Sequence, residues 1–279
     1  MIFIGMLERL TKFLLSVGQP GQQKRIRHYR FSGIVHKLQL NISHMKPIIE
    51  KTVHSLRFLA DPKHLVFSKT MANTSLEILG IITPDLKIIL KQFQQQTNEN
   101  TNREKIDLAI DLVKTDILEL GQMAYLYLGE DKQLLSALTK SDLKQLNHHL
   151  DNWATVDAFG VYVHGKVWQL GTLKIGDIEQ LACHEDVWQR RLALVSTIPL
   201  NRKSTKKDAN PESTLQICSL LIDDHHDMIV KAMSWALREL GKREPDIVRK
   251  YIKTHEIRLH KRILREVNTK LDYGTKTIK

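Results

Sequence analysis

The sequence predicts an all-α protein, folded as an α–α superhelix (a solenoid) with a concave basic groove. Apolar residues recur at i, i+3 and i+4 along most of the chain, which is the period of an amphipathic helix. Polar turns interrupt this pattern about every 10–15 residues, and no segment alternates apolar and polar residues as a half-buried strand does. A four-helix bundle would need fewer and longer helices, so stacked, degenerate HEAT-like pairs are the better prediction.

The boundaries of the predicted helices carry recognisable start and stop signals. Proline follows Thr83 and Glu244 at the first helical position, where a helix makes no use of the missing N–H. Glycine stands where helices are expected to stop, at Gly80, Gly129 and Gly241. The most strongly periodic stretches are 84–93, 104–128, 187–198, 227–240 and 245–252, and further starts are predicted at 139–142 and 210–214.

Charge is unevenly distributed along the 279 residues, which carry a net charge of +11. Residues 1–40 hold seven Lys and Arg against one acidic residue, and residues 231–279 hold fourteen against six. Basic ends on a near-neutral body indicate a polyanionic partner. Because no basic helix is strongly apolar, nucleic acid is favoured over a membrane, although many basic proteins use such charge for no specific partner.

We expect three regions along the chain. Residues 1–45 form a basic extension that is poorly ordered or loosely packed, and Met45 leaves open that these residues come from an upstream start. Residues 46–272 form the helical domain, and residues 273–279 form a tail. Two cysteines and the absence of a signal sequence or an apolar run of roughly 20 residues predict a cytoplasmic protein. We expect a monomer.

Tryptophans and charged residues occur together on three predicted helices in the second half. Trp153 and Asp157 are four residues apart, about one helical turn, so they share one face of a helix. Core packing is the commoner role of tryptophan in helical proteins, and a solvated face is the alternative role of the charged residues. The other two helices carry Trp188 with Arg190 and Arg191, and Trp235 with Lys231 and Arg238.

Other clusters contain metal-ligating side chains without the spacing of a known site. The sequence DDHHD at 223–227 has the character of a solvated turn, and CHED at 183–186 lacks the second histidine of an HExxH motif because Trp188 occupies that place. The histidines of NHH at 147–149 are assigned to a surface or to DNA contacts. The sequence therefore predicts no cofactor and no metal site.

Four blocks of the sequence together resemble the HEAT-like-repeat DNA alkylation-repair glycosylases, the AlkD family. They keep the family's order and approximate spacing from about residue 46 to about residue 272. The blocks are LEILGIITPDLKIILK, DNWATVDAFG, VWQRRLALV and MIVKAMSWALRELGKREPDIVRKYI. The resemblance implies a monofunctional alkylpurine DNA glycosylase of base excision repair, acting in the bacterial cytosol or nucleoid on double-stranded DNA that contains alkylated bases.

The resemblance also implies roles for individual residues. Trp153 falls on an aromatic wall of the family's cleft, Asp157 on its essential carboxylate, and Trp235 on a second aromatic wall. Arg191 falls on the arginine of the W-x-x-R motif. This chain departs from the family at Met71, where well-studied members place an aromatic residue about eight residues before the Leu-Gly-Ile turn.

The implied chemistry needs only one carboxylate. A purine alkylated at N3 or N7 already carries a positive charge and leaves without a general acid, so Asp157 is expected to stabilise the oxocarbenium-like transition state and to position water. Trp153 and Trp235 are expected to attract the cationic nucleotide, and Arg191 to hold a phosphate or to keep Asp157 ionised. The expected contacts to the DNA backbone are Arg190, Lys203, Lys206, Lys207, Lys231 and Arg238.

Two other functions remain open at this point. A non-catalytic HEAT-like protein that recognises damaged or branched DNA would have the same helices and charge without base release. A protein-interaction scaffold would present an exposed apolar groove and would lack salt-sensitive affinity for DNA.

Overall fold

The computed structural model describes residues 46–203 and 208–277. Regular structure within these ranges is helical, apart from one isolated bridge between Glu77 and Ile117, so the all-α prediction is confirmed. Among the described residues, no helix combines the length and the apolar character needed to span a membrane. The predicted extension 1–45 lies outside the described residues.

The first part of the described chain contains seven helices before the Trp153–Asp157 segment. They are α1 (Pro47–Phe58), α2 (Pro62–Met71), α3 (Thr83–Gln96), α4 (Asn102–Val113), α5 (Leu118–Gly129), α6 (Lys132–Ala137) and α7 (Lys140–Leu146).

The second part begins with a helix that changes its pitch midway, because a π-helical segment, Gly160–His164, joins α8 to α9. The helices of this part are α8 (Trp153–Phe159), α9 (Gly165–Leu170), α10 (Ile175–Ala182), α11 (Val187–Val195), α12 (Ile198–Asn201), α13 (Pro211–Leu220), α14 (Asp227–Leu240), α15 (Pro245–Thr254) and α16 (Lys261–Tyr273).

The predicted helix starts are confirmed, and side-chain caps explain several of them. Thr139 and Asp142 form a capping box at α7, in which each side chain bonds the backbone N–H of the other residue. Asn210 caps α13, whose first residue is Pro211. Helix α15 begins at Pro245, as the sequence predicts. These caps satisfy N–H groups that have no partner inside the helix.

The helices pack in two layers, as expected for an α–α superhelix. In one layer α5, α8, α11, α14 and α16 lie side by side in chain order, and in the other α10, α13 and α15 cover them. One continuous apolar core runs between the layers, and Leu120, Val156, Leu192, Leu237 and Val267 are completely or almost completely buried in it. Each such side chain contributes about 1.5–3 kcal/mol on burial, so the core holds the helices of the first layer in fixed register.

The predicted continuous helical period over 104–128 is wrong, because the chain turns between α4 and α5. Helix α4 ends at Val113, and Asp116 has a φ of 56°, in the left-handed region, through which a right-handed helix cannot continue. Ile117 then pairs with Glu77: the Glu77 N–H donates to the carbonyl of Asp116, and the Leu118 N–H donates to the carbonyl of Glu77, both at 2.9 Å.

The predicted helix stop at Gly80 is also wrong, since α2 ends at Met71. Gly80 instead lies in a loop with a φ of +80°, and a Cβ atom there would meet the backbone of Leu65 at 2.6 Å. The N–H groups of Leu79, Gly80 and Ile81 donate to the buried carboxylate of Glu119 at 2.8–3.3 Å. This bonding fixes the loop that follows α2 against α5.

Candidate functional site

Helix α8 begins where the sequence analysis places its aromatic and acidic pair. The buried side chain of Asn152 accepts hydrogen bonds from the N–H groups of Ala154 and Thr155, both at 3.0 Å, and so caps the helix. Trp153 is therefore the first residue of α8 and Asp157 lies one turn further along. The helix that the shared-face prediction requires is present at these residues.

The carboxylate of Asp157 is held by Arg191 of the neighbouring helix α11. The Nε and Nη2 atoms of Arg191 donate to the two carboxylate oxygens, each at 2.8 Å. The Arg191 side chain is 6% exposed and the Asp157 side chain is 18% exposed, so the carboxylate keeps access to solvent while its partner does not. This two-point contact fixes the plane of the carboxylate.

Gly160 allows α8 and α11 to approach closely enough for this contact. A Cβ atom at Gly160 would lie 2.7 Å from Cγ1 of Val195 and 3.4 Å from Cδ1 of Leu192. These two residues follow Arg191 within about one turn of the same helix, and Gly160 follows Asp157 by less than one turn. The missing side chain therefore sets the spacing of the two helices at the ion pair.

Arg191 also connects the carboxylate to α14, the helix that carries Trp235. Its Nη1 donates to the backbone carbonyl of Met228, in the first turn of α14, at 2.6 Å. Trp235 lies two turns further along that helix, where it is partly buried against the central core, as is Trp188 on α11. The α8, α11 and α14 helices are thus joined through one guanidinium group.

Burial raises the pKa of the Asp157 carboxyl above its usual 3.8, and the hydrogen bonds and charge of Arg191 oppose this shift. Each oxygen of the carboxylate has a charged donor, so the geometry suits the ionised form. An ionised carboxylate beside a partly open surface can stabilise a positive charge that develops in front of it.

The indole of Trp153 is oriented by a contact to Met71, the residue at which the sequence departs from the family's aromatic. The Trp153 Nε1–H donates to the backbone carbonyl of Met71 at 2.8 Å. Met71 is the last residue of α2, and it is 50% exposed. The two positions that the resemblance assigns to cleft walls are therefore neighbours in the fold, and one of them presents a thioether instead of a ring.

Asp151 forms hydrogen bonds that connect the loop after Met71 to the start of α8. Its carboxylate accepts hydrogen bonds from the Ser75 N–H and hydroxyl, both at 2.6 Å, and from the hydroxyl of Thr74. These donors outweigh burial and lower the pKa of Asp151 to about 2. Sequence analysis missed this residue, because its partners are 76 positions away and an aspartate before a helix resembles an ordinary cap.

Phe67 is a second residue that the sequence analysis missed. It precedes Met71 by one turn of α2, so both side chains occupy one face of that helix, and Phe67 is 57% exposed. The ring of His64 lies on the same face, with its centroid 6.0 Å from that of Phe67. The spacing F-x-x-x-M was the signal available in the sequence.

Several residues expected to contact the DNA backbone have intramolecular partners. Arg190 donates through Nε to Asp224 at 2.7 Å and through Nη1 to the carbonyls of His184 and Glu185, at 3.0 and 2.5 Å. Arg238 donates to the carbonyl and hydroxyl oxygens of Ser234, at 3.1 and 3.2 Å.

The remaining expected contacts differ in their surroundings. Lys231 forms an exposed pair with Asp227 at 2.6 Å, and Lys203 is exposed. Lys206 and Lys207 lie outside the described residues. The assignment of all six basic residues to DNA contacts stays a prediction.

The described helices define a two-layer, all-α superhelix with an arginine-bound carboxylate between tryptophan-bearing helices. The chain belongs to the family of DNA alkylation repair enzymes, whose sequence model matches residues 52–271. A predicted DNA alkylation repair enzyme from Enterococcus faecalis has a similar solved structure, with 19% sequence identity and a TM-score of 0.57 over 77% of this chain and 97% of that chain. No curated protein matches the sequence. The membership supports an enzyme of DNA alkylation repair.

Proposed function

We propose that this protein is a monofunctional DNA glycosylase that hydrolyses the N-glycosidic bond of cationic N3- or N7-alkylated purines. The observation that carries this proposal is the carboxylate of Asp157, held by two hydrogen bonds from buried Arg191 and still partly exposed. Membership of the alkylation repair family supplies the damage class. A carboxylate that is fixed, charged and accessible is the one group this reaction requires.

The charge of the substrate explains why one carboxylate suffices. Hydrolysis of a neutral glycoside generally uses a pair of carboxyl groups, one of which protonates the leaving group. An N3- or N7-alkylpurine leaves as a neutral base without that proton. Asp157 then stabilises the positive charge that develops on the deoxyribose and accepts a hydrogen bond from the attacking water, which aligns the water with the sugar.

Arg191 acts in this mechanism as a positioning residue. Three of its nitrogens are engaged by Asp157 and by the carbonyl of Met228, and its side chain is 6% exposed. These contacts favour the second of its two expected roles, which is to hold Asp157 ionised and oriented, over direct binding of a phosphate.

Trp153 and Trp235 provide the aromatic surfaces for the cationic nucleotide. The electron-rich face of an indole attracts a cation by up to about 2 kcal/mol when the contact is desolvated. The bond from Trp153 to Met71 fixes the orientation of one indole, and α14 carries the other. Double-stranded DNA with alkylated bases is the proposed partner, and basic side chains such as Lys203 and Lys231 are proposed to contact its phosphates.

One observation favours a second candidate, a non-catalytic protein that binds damaged or branched DNA. Met71 presents a flexible thioether where an aromatic wall is expected, and it is 50% exposed. A weaker wall would hold a cationic base less tightly and leave the binding of DNA unchanged.

The two candidates are separated by incubating the full-length protein with DNA methylated at N7 of guanine. The glycosylase releases free 7-methylguanine and leaves abasic sites that alkali cleaves. A protein that shifts the same DNA in a binding assay but releases no base over a long incubation is the non-catalytic candidate. Unmethylated DNA of the same sequence is the control for spontaneous depurination.

A further inference from the structure

Three metal-ligating side chains converge beside the loop that carries Trp153. They are Asp116, in the turn between α4 and α5, and His148 and His149, in the turn before α8. Asp116 Oδ1 lies 2.8 Å from Nδ1 of His149 and 3.4 Å from Nε2 of His148, and one ligand atom from each residue lies within 4.8 Å of the others. All three side chains are between 41% and 48% exposed, so an ion from solvent can reach them.

The hydrogen bonds of Ser75 determine which nitrogen of His149 carries a proton. The Ser75 hydroxyl donates its single proton to the carboxylate of Asp151 at 2.6 Å. The Ser75 oxygen, 3.0 Å from Nε2 of His149, is then an acceptor, and Nε2 must be the donor. In the neutral imidazole the lone pair therefore belongs to Nδ1.

That lone pair faces a carboxylate oxygen. Nδ1 of His149 and Oδ1 of Asp116 are 2.8 Å apart, and two lone pairs at this distance repel each other. A metal ion bound between the two atoms removes this repulsion. Nε2 of His148 lies 3.4 Å from the same oxygen of Asp116, so it can supply a third ligand atom to that ion.

We propose that Asp116, His148 and His149 form a binding site for a divalent transition-metal ion, with Zn²⁺ as the best fit. Two imidazoles and one carboxylate suit this class of ion, whereas Mg²⁺ and Ca²⁺ prefer oxygen ligands throughout. Ligand atoms at about 2.0–2.1 Å from a tetrahedral Zn²⁺ lie about 3.4 Å apart, which is the distance between Nε2 of His148 and Oδ1 of Asp116. Nδ1 of His149 lies 2.8 Å from the same oxygen and would move outward by about 0.6 Å when the ion binds. Solvent occupies the fourth position.

The backbone holds the donors in place without the ion. Asp116 and His149 are the non-glycine residues with positive φ in the described part of the chain, both at 56°. Ser75 bonds the outer nitrogen of His149, as the outer-shell partners of metal-bound histidines do. The ion would thereby connect the loops that contain Ser75, Asp116 and His149. His149 lies four residues before Trp153.

This inference is independent of the proposed glycosylase activity, and its test measures metal binding alone. Untagged full-length protein is titrated with Zn²⁺ at pH 7 by calorimetry, with Mg²⁺ as a comparison, and with Co²⁺ to obtain the visible spectrum of a tetrahedral site. Two variants remove ligands: His148→Asn, and Asp116→Asn, which keeps a residue type that tolerates positive φ. Ser75→Ala removes the hydroxyl that bonds Nε2 of His149 and leaves the three ligands in place.

A matched control comes from the other adjacent histidine pair, in the turn before α14. His225→Asn alters a histidine that also lies beside aspartates but is outside the cluster. The proposal predicts one Zn²⁺ per chain, at least tenfold weaker binding in both ligand variants, about tenfold weaker binding in Ser75→Ala, and no change in His225→Asn. Zn²⁺ should raise the melting temperature of the wild type and of His225→Asn, but not that of His148→Asn.

Two results overturn the proposal. If the wild-type protein takes up no stoichiometric Zn²⁺, the three side chains do not form a metal site. If Zn²⁺ binds equally well to the wild type, His148→Asn and Asp116→Asn, the ion is held elsewhere. Melting temperatures measured without metal show whether each variant is folded, so weak binding by an unfolded variant is recognised.

Discussion

Arg191 and Asp157 form a two-point ion pair between helices α11 and α8, with both hydrogen bonds at 2.8 Å. Next to it in sequence, Arg190 pairs with Asp224 at 2.7 Å, and these two side chains are 20% and 18% exposed. Two adjacent arginines thus bind two aspartates in different surroundings. This arrangement provides a matched control for most tests of the proposed site.

Replacing Arg191 should change the pH dependence of activity. Burial raises the pKa of Asp157 and Arg191 opposes that rise, so activity that needs the carboxylate is lost as the pH falls through this pKa. Arg191→Met should move the acidic limb of the profile of kcat/KM against pH to higher pH, because it removes the hydrogen bonds and the charge that oppose the raised pKa of Asp157. Arg191→Lys, which keeps the charge, should move it less.

Arg190→Met is the control for this measurement. Because Arg190 pairs with Asp224 and not with Asp157, its loss should leave the position of the acidic limb unchanged. An identical profile for wild type and Arg191→Met would show that the acidic limb does not report Asp157.

An aromatic residue at position 71 should improve base release. Met71 accepts the indole N–H of Trp153 through its backbone, so replacing its side chain keeps that bond. Met71→Tyr adds a ring beside Trp153 that can contact a cationic base, and a gain of about 0.5–2 kcal/mol corresponds to a roughly 2- to 30-fold rise in kcat/KM. Met71→Leu, which is apolar but not aromatic, should give no such gain in the same release assay.

The buried histidine of the π-helical segment should make folding sensitive to acid. Burial lowers the pKa of His164 from 6.5 to about 4, and its Nδ1 lies 2.8 Å from the hydroxyl oxygen of Ser196. The unfolded chain therefore takes up a proton more readily than the folded protein. The lowered pKa of His164 therefore contributes about 3 kcal/mol to the free energy of unfolding above about pH 6.5. This contribution is lost as the pH falls towards 4.

Chemical denaturation at several pH values tests this expectation. The free energy of unfolding of the wild type should fall between pH 6.5 and pH 4 more steeply than that of His164→Leu. Equal slopes for the two proteins would mean that His164 does not bind a proton on unfolding.

The salt dependence of DNA binding should distinguish the basic residues by their partners. Lys203 is exposed and Lys231 has only an exposed intrahelical partner, so each can be recruited by a phosphate. Replacing either one with alanine should reduce the slope of log K against log salt by about 0.9. Arg190→Ala should change the slope less, because Arg190 is already bound to Asp224 and two backbone carbonyls.

Local sequence patterns predicted the starts of α3, α7, α13 and α15 and the helix that contains both Trp153 and Asp157. Periodicity and caps are properties of neighbouring residues, so their signals lie within one or two turns. The contact of Ser75 with Asp151 and that of Asp116 with His149 join residues 76 and 33 positions apart. No local pattern carries such contacts, and the same is true of the amide groups around Gly80 that bind Glu119.

The turn at Asp116 illustrates why one boundary was missed. The apolar period continues through residues 104–128 because Ile117 and Leu118 fill helical positions in the pattern. Helix α4 nevertheless ends at Val113, and Ile117, the residue before α5, pairs with Glu77. Tertiary pairing therefore overrides a continuous helical period at this point.

The most direct test of the central claim is the single-turnover rate of 7-methylguanine release by wild type, Asp157→Asn and Asp224→Asn. DNA binding and thermal unfolding are measured on the same three proteins, because both substitutions remove the charged partner of an arginine. The proposed mechanism predicts that Asp157→Asn binds methylated DNA but releases no base above the spontaneous rate, while Asp224→Asn retains activity. Release at the wild-type rate by a folded Asp157→Asn protein would contradict it.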